Sequence, residues 1–211
     1  MRHHLSGLYG ITDAALMPST ALMLKKVEQS ITGGAQIIQY RDKSADLEKR
    51  VEQAALLNNL CKKYNVPLLI NDDAGLAAGI GAAGVHLGQS DGIVSEAREM
   101  LGAEAIIGVT CHDSIELAEQ ASVEGANYIA FGAFFPSKTK PAAKPAPLAL
   151  IQQAKQRVDL PIVAIGGISV DNAAQIIEAG ADMVAVIHAL YAEKNITATA
   201  RRFQQQFTNR I

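Results

Sequence analysis

Eight short apolar runs punctuate the chain: Leu8–Thr12, Ile37–Tyr40, Pro67–Ile70, Gly84–Leu87, Ala105–Val109, Tyr128–Phe131, Pro161–Ile165 and Met183–Ile187. The segments between them carry helical spacing, as in Leu22, Val27 and Ile31, in Val51, Ala54, Ala55, Leu57 and Leu60, or in Ala173, Ile176 and Ile177. A last such segment, Ile196 to Phe207, follows the eighth run. The runs are continuous rather than alternating, the pattern of strands buried on both faces, and strands that alternate with helices pair in parallel. A phrase recurs at the junctions: Gly34-Ala35-Gln36, Gly125-Ala126-Asn127 and Gly180-Ala181-Asp182, with a relative at Gly84-Val85. Glycine just past a helix can take the left-handed conformation that ends it, so the repeating unit reads as helix, tight turn, strand.

Eight such units of roughly 26 residues predict a small α/β protein of the (β/α)8 TIM-barrel class, near the lower end of its size range. The rival is an open doubly wound sheet, which usually has five or six strands and a glycine-rich turn after the first. Here Thr12-Asp13 follows the first run and no Gly-x-Gly-x-x-Gly is present, which favours the barrel. No linker divides residues 1–211, so a single barrel domain is expected. The one proline-rich stretch, Pro136 to Pro147, follows the sixth strand, where a barrel carries functional loops.

Composition narrows the partners. A net charge of −2 over 211 residues and a pI near 6.2 argue against nucleic acid, whose binding surfaces are strongly cationic. No apolar stretch is long enough to span a bilayer and Met1–Ser6 leads into no signal-peptide core, so a soluble, cytoplasmic protein without a membrane partner is expected. Cys61 and Cys111 show neither metal-ligand spacing nor a disulfide framework and read as free thiols. No Ser/His/Asp or Cys/His catalytic arrangement is suggested; His86, inside the fourth run, reads as a hydrogen-bonded core residue.

In a barrel the site is built at the C-terminal ends of the strands. The residues ending these runs are polar: Asp13; Gln39, Arg41, Asp42 and Lys43; Asn71, Asp72 and Asp73; Gln89 and Asp91; Thr110 and His112; Ser137, Lys138, Thr139 and Lys140; Gly166 and Gly167; His188. Gln39, Arg41 and Lys43 alternate along an extended segment and so share one face, an amide, a guanidinium and an ammonium in line for an anion. Asp72 and Asp91, on neighbouring strands, supply the oxygen ligands that suit Mg2+ with a substrate phosphate. Taken singly, each aspartate fits an N-cap equally well, because both precede helical segments; beside the base cluster, the metal reading is the stronger. Gly166-Gly167 would let a ligand approach the backbone where barrels frequently bind phosphate, although alone the pair is only a turn. These residues together predict a barrel that binds two phosphorylated groups, one of them with Mg2+.

The motifs YGITD (Tyr9–Asp13), QYRDK (Gln39–Lys43), LIND (Leu69–Asp72), GVHLGQSD (Gly84–Asp91), IGVT (Ile107–Thr110), FPSKTKP (Phe135–Pro141), VAIGGI (Val163–Ile168) and GADMVAVI (Gly180–Ile187) follow one another as in the thiamine phosphate synthase family, which the chain resembles over nearly its whole length. The resemblance implies a transferase that joins a pyrimidine-methyl diphosphate to a thiazole phosphate and releases diphosphate. It places the pyrimidine diphosphate on Gln39, Tyr40, Arg41, Asp42, Lys43, Asn71, Thr110 and Lys140, and Mg2+ on Asp72 and Asp91. The thiazole phosphate falls to Ser137, Lys138, Thr139, Gly167, Ile187 and His188. His188 stands where the family often has serine, so a hydroxyl contact there does not carry over. A related thiazole tautomerase would share the barrel without a diphosphate–Mg2+ site, and a non-catalytic phosphate-ligand binder is the alternative of another class. Homo-oligomerisation is left open by the sequence.

Overall fold

In a computed structural model of the chain, residues 5–136 and 145–208 are described. The elements alternate: β1 (Gly7–Ile11), α1 (Thr20–Thr32), β2 (Ile37–Tyr40), α2 (Leu47–Lys63), β3 (Leu68–Asn71), α3 (Ala74–Ile80), β4 (Gly84–Leu87), α4 (Val94–Leu101), β5 (Ile106–His112), α5 (Ile115–Val123), β6 (Tyr128–Phe131), α6 (Ala149–Arg157), β7 (Ile162–Ile165), α7 (Ala173–Glu178), β8 (Met183–Val186), α8 (His188–Tyr191) and α9 (Ile196–Thr208). Each strand pairs in parallel with its neighbours in sequence, and β8 pairs with β1, closing a (β/α)8 barrel.

Two apolar cores explain the continuous runs. Side chains alternate along each strand: Ile37 joins an inner cluster with Tyr9, Leu69, Tyr128 and Met183, while Ile38 and Tyr40 join the layer between strands and helices. Inside, Tyr128 occupies space left by Gly108, where a side chain would collide with its ring. Both cysteines are buried free thiols, and burial pushes each up to about 12.

The glycines of the recurring phrase do take positive φ, at 109° for Gly34, 89° for Gly125 and 117° for Gly180. Gly84 differs from the expectation. The left-handed stop after α3 is Gly81, at φ 60°, and Gly84 opens β4 instead, where any side chain would run into the backbone of Ile106. Two strands also extend past their apolar runs, because the ladder continues through polar residues: Asn71 pairs with His86, Thr110 with Ala130 and His112 with Phe131 across a register shift.

The last helix completes the outer ring. α9 lies against α1, α7 and β1, and the Leu8 N–H donates to its Gln204 Oε1 at 3.3 Å. No helix among the described residues is long and apolar enough to cross a membrane.

Candidate functional site

A cavity of about 520 Å³ opens at the C-terminal ends of the strands. Gln39, Arg41, Asn71, Asp72 and Thr110 line it on one side, Gly167, Ile187 and His188 on the other. The strand order sets these groups apart, because in a closed ring of eight β3 stands opposite β7 and β4 opposite β8.

Within the segment after β2, alternation divides the side chains. Gln39 and Arg41 face the cavity, and Lys43 pairs with Asp72. Tyr40 and Asp42, placed in the site by resemblance, turn outward: the Tyr40 hydroxyl donates to Gln53 Oε1 on α2 at 3.1 Å, and Asp42 pairs with Lys49 at 2.8 Å. The physical reason is the pleat, which sends successive side chains to opposite faces. Burial alone would raise the Asp42 carboxyl, but hydrogen bonds from Lys49 and Ser44 outweigh it and hold it below the usual range.

The acidic residues separate into a cap and a pair. Asp73 caps α3, accepting the Leu76 N–H at 2.8 Å, and accepts from Arg50 at 2.7 Å. Asp72 is released from that task; it sits at φ 61° and accepts from Asn71 Nδ2 at 2.5 Å and from Lys43. The cap position of α4 is Ile93, with no side-chain cap bond, so Asp91 is not a helix cap either. Partial burial, and then the facing Asp72 carboxylate, hold the Asp91 carboxyl above its ordinary range. Both carboxylates converge beside Gly88, where a Cβ would touch Asp91 Oδ2 and lie 3.9 Å from Asp72 Oδ1. Two facing carboxylates form an oxygen donor set that fits a hard divalent cation, with the Lys43 ammonium against one of them as its competitor. Among the described residues no group of three or more His, Cys, Asp or Glu could hold a metal, so these two would leave coordination positions for phosphate and water.

Deeper in the barrel lies a feature the residue spacing did not reveal. Gln39, Tyr9, Tyr128, His86 and Thr110, from five strands, form a continuous series of hydrogen bonds of 2.6, 3.0, 2.8 and 2.8 Å. The His86 ring stacks on that of Tyr128, with centroids 5.6 Å apart, and burial pushes its pKa down to about 4. Tyr9 and His86 thus line the cavity, as do His112 and Ser169. Tyr9 was detectable in principle, since it stands two residues before Ile11 on the same inward face of β1.

Gly166 and Gly167 take φ of 101° and 64°, but the close approach they permit is to protein. A Cβ on Gly167 would meet the carbonyl oxygens of Phe135 and Pro136, and one on Gly166 would meet Ala133. The pair therefore seats the start of the β6 loop against the cavity wall. Ser137, Lys138, Thr139 and Lys140 lie outside the described residues.

The model of the family described as thiamine monophosphate synthase matches residues 8–190. A thiamine-phosphate synthase of Saccharophagus degradans is 52% identical over 201 residues, covering 95% of this chain and 93% of its own. One from Alcanivorax borkumensis is 51% identical, covering 99% and 97% respectively. Among solved structures, thiamine phosphate pyrophosphorylase from Pyrococcus furiosus superposes with a TM-score of 0.87 at 31% identity, covering 98% of this chain and 97% of its own. With the motifs spread over all eight strand ends and the likeness running through almost the whole length, the chain belongs to the thiamine monophosphate synthase family, a family of transferases.

Proposed function

We propose that this protein condenses 4-amino-2-methyl-5-(diphosphooxymethyl)pyrimidine with a thiazole phosphate, in a Mg2+-dependent reaction that yields thiamine phosphate and diphosphate. The observation that carries the reading is the placement of a cationic segment (Gln39, Arg41, Lys43) beside a carboxylate pair (Asp72, Asp91) that caps no helix. That edge suits a metal-bound diphosphate. The opposite edge, with Gly167, Ile187 and His188, suits the phosphate of the second substrate.

Gln39, Arg41, Lys43, Asn71 and Thr110, with Lys140, hold the pyrimidine diphosphate in this reading. Ser137, Lys138, Thr139, Gly167, Ile187 and His188 hold the thiazole phosphate. Asp72 and Asp91 would hold Mg2+, which when bound supplies charge neutralisation to the leaving diphosphate. The reaction is dissociative: the methylene C–O bond breaks, its electron pair leaves with the diphosphate, and the thiazole nitrogen captures the pyrimidine-stabilised methylene cation. Such chemistry needs no protein nucleophile. It needs positive charge at the departing oxygens, given by Arg41, Lys43 and Lys140, and an acceptor held in line.

The Lys43–Asp72–Asp91 cluster favours this reaction over thiazole tautomerisation, which has no diphosphate to neutralise. A cytoplasmic setting fits soluble, phosphorylated substrates. Incubating the protein with both substrates, with and without Mg2+, and assaying thiamine phosphate tests the proposal. Product that depends on Mg2+ is expected; binding of either substrate without product would leave a non-catalytic binder as the reading.

A further inference from the structure

The rim of the cavity is charged and its floor is not. Arg41 and Asp72 stand at the mouth, whereas Gln39, Tyr9, Tyr128, His86 and Thr110 lie below among Ile11, Val163 and Ala185. An uncharged floor with hydrogen-bonding groups suits the heterocycle of a substrate whose diphosphate occupies the rim, so this inference rests on the synthase reading above.

The series of bonds on that floor has a sense. Gln39 Nε2–H donates to the Tyr9 hydroxyl at 2.6 Å. If Tyr9 gives its proton to the Tyr128 oxygen at 3.0 Å, the Tyr128 proton falls to His86 Nδ1 at 2.8 Å. A neutral imidazole whose Nδ1 accepts carries its proton on Nε2, where it donates to Thr110 Oγ1 at 2.8 Å. The Thr110 oxygen is then an acceptor within the protein, and its own proton is left for the cavity.

We propose that Tyr9, Tyr128 and His86 are positioning residues that transmit the orientation of the Gln39 amide across the barrel, fix His86 as its Nε2–H tautomer and so present Thr110 as a donor to a lone pair of the bound pyrimidine. The pieces are built for it. Tyr9 and Tyr128 are 1% and 0% exposed, and their rings meet edge to face with centroids 6.1 Å apart. His86 is clamped between two hydroxyls, each accommodating only one sense of proton once its neighbour is set.

The test is read on the protein without substrates, near pH 8, by long-range proton–nitrogen NMR of the histidine rings, with the His86 signals assigned from His86→Gln. The expected result is Nε2 protonated and Nδ1 bare. Protonation on Nδ1, on both nitrogens, or a mixture in the unsubstituted protein overturns the proposal. Tyr9→Phe cuts the series between Gln39 and Tyr128, so a second tautomer should emerge; persistence of the single original tautomer would overturn transmission along the series. Tyr128→Phe serves the same purpose if Tyr9→Phe does not fold. In turnover, Tyr9→Phe should raise KM for the pyrimidine diphosphate about five- to ten-fold, the scale of one hydrogen bond, with KM for the thiazole phosphate unchanged. Equal effects on both KM values would overturn the assignment to the pyrimidine. A wild-type protein that forms no thiamine phosphate would sink the synthase reading and leave the tautomer result standing, so the two failures are distinguishable.

Discussion

The ammonium of Lys43, beyond the end of β2, reaches the carboxylate of Asp72 just after β3. Lys43 thus occupies a place that a divalent cation would contest. Its side chain is 58% exposed, so the pair contributes little, in the range of about 0.2–1 kcal/mol for solvent-facing ion pairs. Lys43→Gln should therefore bind Mg2+ alone about two- to five-fold more tightly in calorimetry while turning over more slowly, because the same ammonium is needed at the diphosphate. Unchanged Mg2+ affinity would show that the two do not compete.

The division between Asp72 and Asp73 separates stability from activity. Asp73→Ala removes the α3 cap and should lower stability by about 1 kcal/mol in denaturant titration, with Mg2+ dependence retained. Asp72→Asn and Asp91→Asn touch no cap. They should lose on the order of 10²-fold or more in turnover, with Mg2+ affinity falling in parallel and melting temperature little changed. A large loss of stability in either asparagine variant would point to a structural role.

Arg41 contributes a guanidinium to the cavity edge that would meet the leaving diphosphate. Arg41→Ala should cost on the order of 10²-fold or more in kcat/KM, the scale of deleting one charge-stabilising donor, and Lys140→Ala the same. Near-normal turnover in both variants would remove them from the leaving-group site.

Alkali should unfold the protein through its buried tyrosines, with the two buried thiols adding to the loss. Tyr9, Tyr40, Tyr128 and Tyr191 are buried, and burial raises the pKa of each well above 10. In the unfolded chain these phenols ionise from about pH 10, so above that pH the folded state binds more protons and stability falls as pH rises. Each contributes up to about 1.4 kcal/mol of loss per pH unit. Since the chain has no tryptophan, absorbance near 295 nm follows ionisation directly, and the phenolate signal of these four should rise together with loss of circular dichroism. Ionisation of all four ahead of unfolding would contradict the burial argument.

The strands were legible because being buried on both faces writes itself as an unbroken apolar run; Ile37–Tyr40 and Tyr128–Phe131 end where the runs end. Asn71 and His112 carry no strand signal in the sequence, since the ladder there is held by main-chain pairing to β4 and β6, which is independent of side-chain polarity. The alternating face of Gln39 and Arg41 was legible from period two. The choice of Asp73 over Asp72 as cap was not, because two adjacent aspartates satisfy the same local pattern and only their backbone angles decide. On the floor of the cavity, the hydrogen bonding of His86 is legible from its place inside the fourth run, but its partners are not. Tyr9, His86 and Tyr128 are far apart in sequence, and a hydrogen bond between them leaves no periodic trace in any one segment.

The seating of α9 bears on when the protein can fold. Gln204 satisfies a backbone group of β1, and α9 packs on α1, so segments widely separated in sequence secure one another. A ring of strands gains little until it is closed, and contacts across the greatest sequence separation carry the largest closure entropy. β1 keeps an open edge until β8 pairs with it and α9 docks, so closure of the ring should come late in folding rather than unit by unit.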